Sequence, residues 1–295
     1  MIEISTMTTT FRARREDDTF ISYPESIRRC KAAGFDILDI NMCTMSNAAT
    51  NELCGDDWER HLDAIIEERD RQGVTFYQSH PPFRGGHIVK FDEPEKEKFF
   101  WDMEYRALDI TARVGAKWAV IHPVYIPGET DFKKQVEHNH RIYDPLVDYA
   151  AKLGIGIAFE NMVEHDKANH RFTTYPEEMI AICDSYHCDT VGLCWDFGHA
   201  NTACPERHAE GLRSLGKRLK CVHIDDNLGK IDDHFVPFRG SIPWEELMPI
   251  LTEIGFEGTL NLELRLNRML PDDLKDEGAR FMCSIVKKLQ QLTLK

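Results

Sequence analysis

Positive charge is scarce in this chain. It holds 36 Lys and Arg against 50 Asp and Glu, a formal net charge of −14. An acidic surface repels phosphate backbones, so nucleic acid is not an expected partner. None of the nine cysteines stands in a C-x-x-C pair, and their spacing is irregular. That argues against a disulfide framework, and Cys194 and Cys221 read as small buried hydrophobes in a reducing, cytoplasmic setting. No apolar run approaches the roughly 18 residues that cross a membrane. Met1-Ile2-Glu3-Ile4-Ser5 lacks the basic segment and apolar run of a secretory leader.

What is present is a regular alternation. Eight short apolar runs read as strands: Met1–Ser5, Asp36–Asn41, Val74–Ser79, Trp118–Ile121, Gly156–Phe159, Val191–Trp195, Leu219–Val222 and Gly258–Leu262. Between them, Asp57–Gln72, Glu95–Val114, Gln135–Leu153, Pro176–Ser185, Pro243–Ile254 and Asp272–Leu292 carry helical signals. Gly34, Gly154 and Gly255 each sit where a helix would stop just before a strand. Strands alternating with helices predict an α/β fold, a closed (β/α)8 TIM barrel, with residues 1–295 as a single domain. At 42% hydrophobic residues, the chain can fill such a core. The longer connections, around residues 42–57, 81–94, 123–134, 161–174 and 224–241, would then gather on the C-terminal face.

The chemistry-bearing residues share the same rhythm. His80, His122, Glu160, Asp196, His199, His223 and Glu263 end strand-like runs or lie in the loops just after them. A carboxylate directly after a buried strand needs a cation or a hydrogen-bond partner. Glu160 would hold a metal, cap the next loop, or pair with a Lys or Arg. Asp196 and His199 share one loop and would face one ion, or Asp196 would cap a helix. His223 is followed by Asp225 and Asp226, which would fix its tautomer. Arg265, two residues after Glu263, would pair with that Glu or contact a substrate oxygen. His80 and His122 each precede a proline, which favours extended backbone. Asp232 and His234 form an Asp-x-His pair in the loop after the seventh strand. His138, His140, His165, His170, His187 and His208 are expected at the surface, and Glu16-Asp17-Asp18 in a solvated loop. Phe99-Phe100-Trp101 would be core or a surface for a homo-oligomer.

Five phrases carry a resemblance: AFEN, WDFGHAN, VHIDDN, PFRGSIPWEEL and GTLNLEL, with SHPP and IHP before them. Their order and spacing, best over about residues 155–265, resemble the sugar phosphate isomerase/epimerase branch of the xylose-isomerase-like TIM-barrel superfamily. The resemblance implies one divalent ion on Glu160, Asp196, His223 and Glu263. Mn²⁺ is expected first, with Mg²⁺, Co²⁺ or Zn²⁺ as substitutes. It implies a small-molecule sugar substrate and Glu160 and Glu263 as acid and base, working next to a carbonyl through an enediolate. His80, His122, His199, Asp232, His234 and Arg265 would then contact the substrate. The branch's ketose 3-epimerases place an Arg six residues after the strand-seven His. Here Gly229 stands there, leaving Lys230, Arg239 or Arg265 as replacements. Two alternatives share the barrel. One is a lyase that dehydrates keto-inositols or eliminates from oxidised glycosides. The other is an enzyme similar to endonuclease IV, whose three-zinc ligand order His80, His122, Glu160, Asp196, His199, His223, Asp232, His234 and Glu263 reproduce.

Overall fold

The structure, a computed structural model, describes residues 1–12, 21–45, 51–83, 93–164, 170–264, 266 and 270–295. Eight parallel strands close into a barrel in sequence order: β1 (Glu3–Met7), β2 (Ile37–Asn41), β3 (Thr75–His80), β4 (Trp118–Ile121), β5 (Gly156–Glu160), β6 (Val191–Asp196), β7 (Leu219–Ile224) and β8 (Thr259–Leu262). β1 closes the ring on β8 through the register Glu3↔Thr259 to Thr6↔Leu262. The predicted (β/α)8 barrel is the fold found.

Helices α1 (Tyr23–Ala33), α2 (Trp58–Gln72), α3 (Pro94–Arg113), α4 (Phe132–Leu153), α5 (Pro176–Ser185), α6 (Phe197–Ala203), α7 (His208–Leu215), α8 (Trp244–Glu253) and α9 (Lys275–Leu292) connect or flank the strands. The hydrophobic period bounds six of these and leaves α1, α6 and α7 unassigned. Gly34 and Gly154 stop their helices as expected, with φ of 106° and 75°, a left-handed conformation that a side chain would strain. The main core lies between the sheet and the helices. It includes Phe35, Leu38, Phe159, Trp195, Trp244 and Leu251, all fully buried.

Inside the ring, Val120, Ala158, Cys194 and Cys221 form a separate small cluster with Tyr77 and Trp118 packed against it. Elsewhere in the interior, Asp39 accepts from Gln78 Nε2 at 3.1 Å and from Asn261 Nδ2 at 3.2 Å. Ser5 Oγ donates to Asn261 Oδ1 at 3.1 Å.

Two register breaks matter for the site. On β3 the pairing passes from Phe76 to Gln78, and on β7 from Leu219 to Cys221. Tyr77 and Lys220 are therefore bulged, and a bulge reverses the in/out phase of the residues beyond it. Phe76 and Leu219 belong to the outer core, whereas Cys221 belongs to the interior cluster. The bulges turn His80 and His223 into the barrel.

Among the described residues no helix is long and apolar enough to cross a membrane. Phe99 and Trp101 pack against the main core, and Phe100 lines a cavity at the C-terminal rim. The Phe99-Phe100-Trp101 run is therefore used within the chain.

Candidate metal centre and active site

The barrel brings the nine candidates that fall on described residues into one cluster. Glu160 is the hub. Its Oε1 lies 2.9 Å from His223 Nδ1, and its Oε2 lies 3.0 Å from His122 Nε2 and 3.7 Å from His80 Nε2. Glu263 Oε2 approaches His223 Nδ1 from another direction at 2.7 Å. Asp196 divides its two oxygens. Oδ1 accepts from His199 N at 2.6 Å and so caps α6. Oδ2 lies 3.9 Å from His223 Nδ1 and has no hydrogen-bond partner among the described residues. Both sequence expectations for Asp196, cap and ligand, fit one side chain.

Three imidazoles are oriented alike. Nδ1 bonds a backbone carbonyl in each: His80 to Pro81 at 3.0 Å, His199 to Asn161 at 2.7 Å and His234 to Glu263 at 2.8 Å. Such a bond fixes the ring's orientation and turns Nε2 away from that carbonyl, toward the side chains around the cavity. Nε2 of His199 and of His234 both face Asp232 Oδ2, at 3.8 and 2.9 Å. Asp225 and Asp226 do not play the part expected of them. Asp225 Oδ2 lies 3.1 Å from His234. Asp226 accepts from Trp244 Nε1 at 3.0 Å and from Phe238 N at 2.9 Å, pinning the loop before α8. His223 is oriented instead by the two glutamates.

The electrostatics suit a cation. Burial would raise the Glu160 carboxyl, but His223 and His122 override it and hold it well below the usual carboxylate range. Glu263 is likewise pushed up by burial, then held down at about 2 chiefly by His223. Burial, with Glu160 and Glu263 nearby, lifts Asp196 to about 6. The donor atoms of Glu160, Asp196, His223 and Glu263 all lie within 4.8 Å of one another. Two buried carboxyls, each with one oxygen lacking a hydrogen bond among the described residues, and the partly exposed Glu263 around one imidazole make a hard donor set, and a divalent ion fits it. Two further groups are equally compact: His80, His122 and Glu160, and Asp225, Asp232 and His234.

Glu160, Glu263, His80, His122, His199, Asp232 and His234 line the rim cavity, with Asp196 and His223 buried beside them. Arg265 lies outside the described residues, as do His165 and the Glu16-Asp17-Asp18 run. Lys230 is exposed, and Arg239 stacks on Phe235 at 3.9 Å. Neither lines the cavity. Arg171 does line it, as do Glu104 and Tyr143. Arg171 sits in a loop with no sequence signal. Glu104 was legible: it stands between Phe100 and Ala107 on the buried stripe of α3. His208, expected at the surface, is buried and accepts a hydrogen bond from Trp195 Nε1 at 3.1 Å.

Known proteins resemble this chain across most of its length. An uncharacterised protein of Methanocaldococcus jannaschii, MJ1311, is 28% identical over 74% of this chain and 73% of its own. D-psicose 3-epimerase of Enterocloster bolteae is 21% identical over 88% of this chain and 86% of its own. Probable endonuclease 4 of Mesomycoplasma hyopneumoniae is 25% identical over 60% and 67%. Residues 27–285 match the sequence profile of the xylose isomerase-like TIM barrel family, and the chain belongs to that family.

Proposed function

We propose that this enzyme is a divalent-metal-dependent isomerase or epimerase of a sugar or sugar derivative. One observation carries the reading. Glu160 and Glu263 both line the cavity and both close on His223 Nδ1, at 2.9 and 2.7 Å, from strands β5 and β8. Two carboxyls on one floor can serve opposite faces of a small substrate lying between them. Glu160 takes the proton from the carbon next to a carbonyl, and Glu263 returns one from the other side through an enediolate, or the reverse. Both are held low, so either can start as the base; the Glu that returns a proton must first take one up from solvent, which is why the returned proton carries the solvent isotope.

Glu160, Asp196, His223 and Glu263 would hold the ion, Mn²⁺ in first place. A bound divalent ion polarises a carbonyl oxygen and acidifies the adjacent C–H. His80, His122, His199, Asp232 and His234 surround the substrate and orient its oxygens. The relative named D-psicose 3-epimerase supports the sugar reading.

The test is solvent deuterium incorporation into a panel of ketoses with added Mn²⁺. Wild type should exchange one carbon-bound proton. Glu160→Gln and Glu263→Gln should each lose at least about 100-fold in rate, the usual scale of general acid–base catalysis. A panel with no exchange in wild type rejects the reading.

A second reading has its own observation. The compact groups around Glu160 and around Asp232, with His199 3.8 Å from Asp232, would hold three ions in the manner of an endonuclease-IV-like enzyme. The net charge of −14 opposes a DNA substrate. Metal analysis of protein purified without chelator separates the two. Three zincs per chain with cleavage of abasic-site DNA would end the sugar reading.

A further inference from the structure

Glu104 lies outside the barrel ring, on α3, yet it lines the same cavity as Glu160 and Glu263. The cavity therefore runs from the rim of β5 and β8 over Ile121 and His122, at the end of β4, to the inner face of α3. Glu104 is only 3% exposed, and among the described residues its Oε2 has no hydrogen-bond partner. Phe100, Tyr125 and Tyr143 line the cavity with it, and Tyr143 donates its hydroxyl to His122 O at 2.7 Å. Burial pushes the Glu104 carboxyl well above its ordinary range.

A buried carboxyl without a partner destabilises the fold that carries it. Apolar side chains of similar volume would pack there at no such cost. The group it lacks in the protein is a proton donor, and the side of the carboxyl that meets the cavity is where a ligand would bring one. An anion is the wrong occupant, because this cavity already holds Glu160, Asp232 and Glu263.

We propose that Glu104 is a substrate-recognition residue that accepts a hydrogen bond from a hydroxyl or ammonium group at the end of the substrate remote from the Glu160–Glu263 pair. The enzyme would thus take a free or amine-bearing sugar rather than one phosphorylated at that end. Arg171, from the β5–α5 loop, is the cavity residue that would favour the opposite choice, which makes the specificity measurable. The inference rests on the sugar reading above.

The experiment is calorimetric titration of the Mn²⁺-loaded protein with D-fructose, its 6-phosphate and its 6-amino-6-deoxy analogue, with melting temperatures on the same samples. Wild type should bind the free or amino sugar and bind the phosphate more weakly. Glu104→Leu should weaken binding at least tenfold, on the order expected for a lost buried hydrogen bond, while melting no lower than wild type. Glu104→Gln should keep hydroxyl recognition within about threefold and lose preference for the amine. The inference is overturned if Glu104→Leu binds the panel as wild type does, if the 6-phosphate binds tighter than the free sugar, or if wild type binds none of the three. Deuterium exchange on these samples keeps the two readings apart. Binding that depends on Glu104 without exchange rejects the epimerase reading alone. Exchange with binding indifferent to Glu104 rejects this inference alone.

Discussion

At the scale of single residues, the environment around a side chain decides its chemistry more than its type does. His208 and His223 are both buried imidazoles. His223 faces Glu160 and Glu263 and is raised well above its ordinary range, burial notwithstanding. Among the described residues, His208 has the Trp195 indole as its hydrogen-bond partner, and burial pulls it from 6.5 to about 3. Its neutral form is thus built into the fold. The unfolded chain takes up the proton near pH 6.5, the folded chain only near pH 3. Between those values the unfolded state binds the extra proton, so stability falls as pH drops, by up to about 1.4 kcal/mol per pH unit. His208→Gln, which can still accept from Trp195, should remove this component. Urea midpoints at pH 7 and pH 5 should show wild type losing about 2 kcal/mol more than the variant. Equal losses would mean that His208 is not the group responsible. Both histidines stand out in the sequence, but their fates do not, because the partners come from other strands and helices.

At the scale of elements, the strands were legible and the phase within them was not. Each apolar run marks a strand, and Gly34, Gly154 and Gly255 mark where helices stop. Helix α6 left no trace because it is short and buried nearly all round, Phe197 to Asn201 included, so it shows no amphipathic period. In α1, Tyr23, Ile27 and Cys30 form the buried stripe among charged neighbours, too sparse a signal to set bounds. The bulges at Tyr77 and Lys220 have no signature in the sequence at all. They are register differences between neighbouring strands. On β7 the bulge leans on Gly192: a Cβ there would lie 2.3 Å from Lys220 Cγ and 3.2 Å from Arg218 O. Gly192→Ala should therefore overpack the β6–β7 seam and cost roughly 1–3 kcal/mol, read as a lower urea midpoint. Because Asp196 and His223 are paired across the same seam, its Mn²⁺ affinity should fall as well. A variant with wild-type stability and affinity would show that the bulge does not depend on this contact.

At the scale of the whole molecule, closing the barrel concentrates negative charge. Glu160, Asp196 and Glu263 come from three strands and meet within one small volume. A protein that gathers three carboxyls this closely is stabilised by whatever cation binds them in the folded state only. Adding Mn²⁺ to chelator-treated protein should raise the melting temperature by several degrees, as a ligand at about 100 times its Kd contributes roughly 2.7 kcal/mol. Asp196→Asn can keep the cap on α6, yet should lose most of that shift. A shift that survives in the variant would place the ion elsewhere, at the His80–His122 or the Asp225–Asp232–His234 group.

The sequence by itself determined the alternation of strand and helix, the acidic balance and the strand-end positions of Glu160, Asp196, His223 and Glu263. These are local properties, set by hydrophobic period and by residue type. Only the tertiary structure decided which side chains meet. It turned His80 and His223 inward through two bulges, and it set one Asp196 oxygen on the α6 cap and the other 3.9 Å from His223. It redirected Asp225 and Asp226 away from His223. It also carried the cavity out to Glu104 and Arg171. Each of these depends on register and packing between segments far apart in the chain, and no local pattern encodes the distance between them.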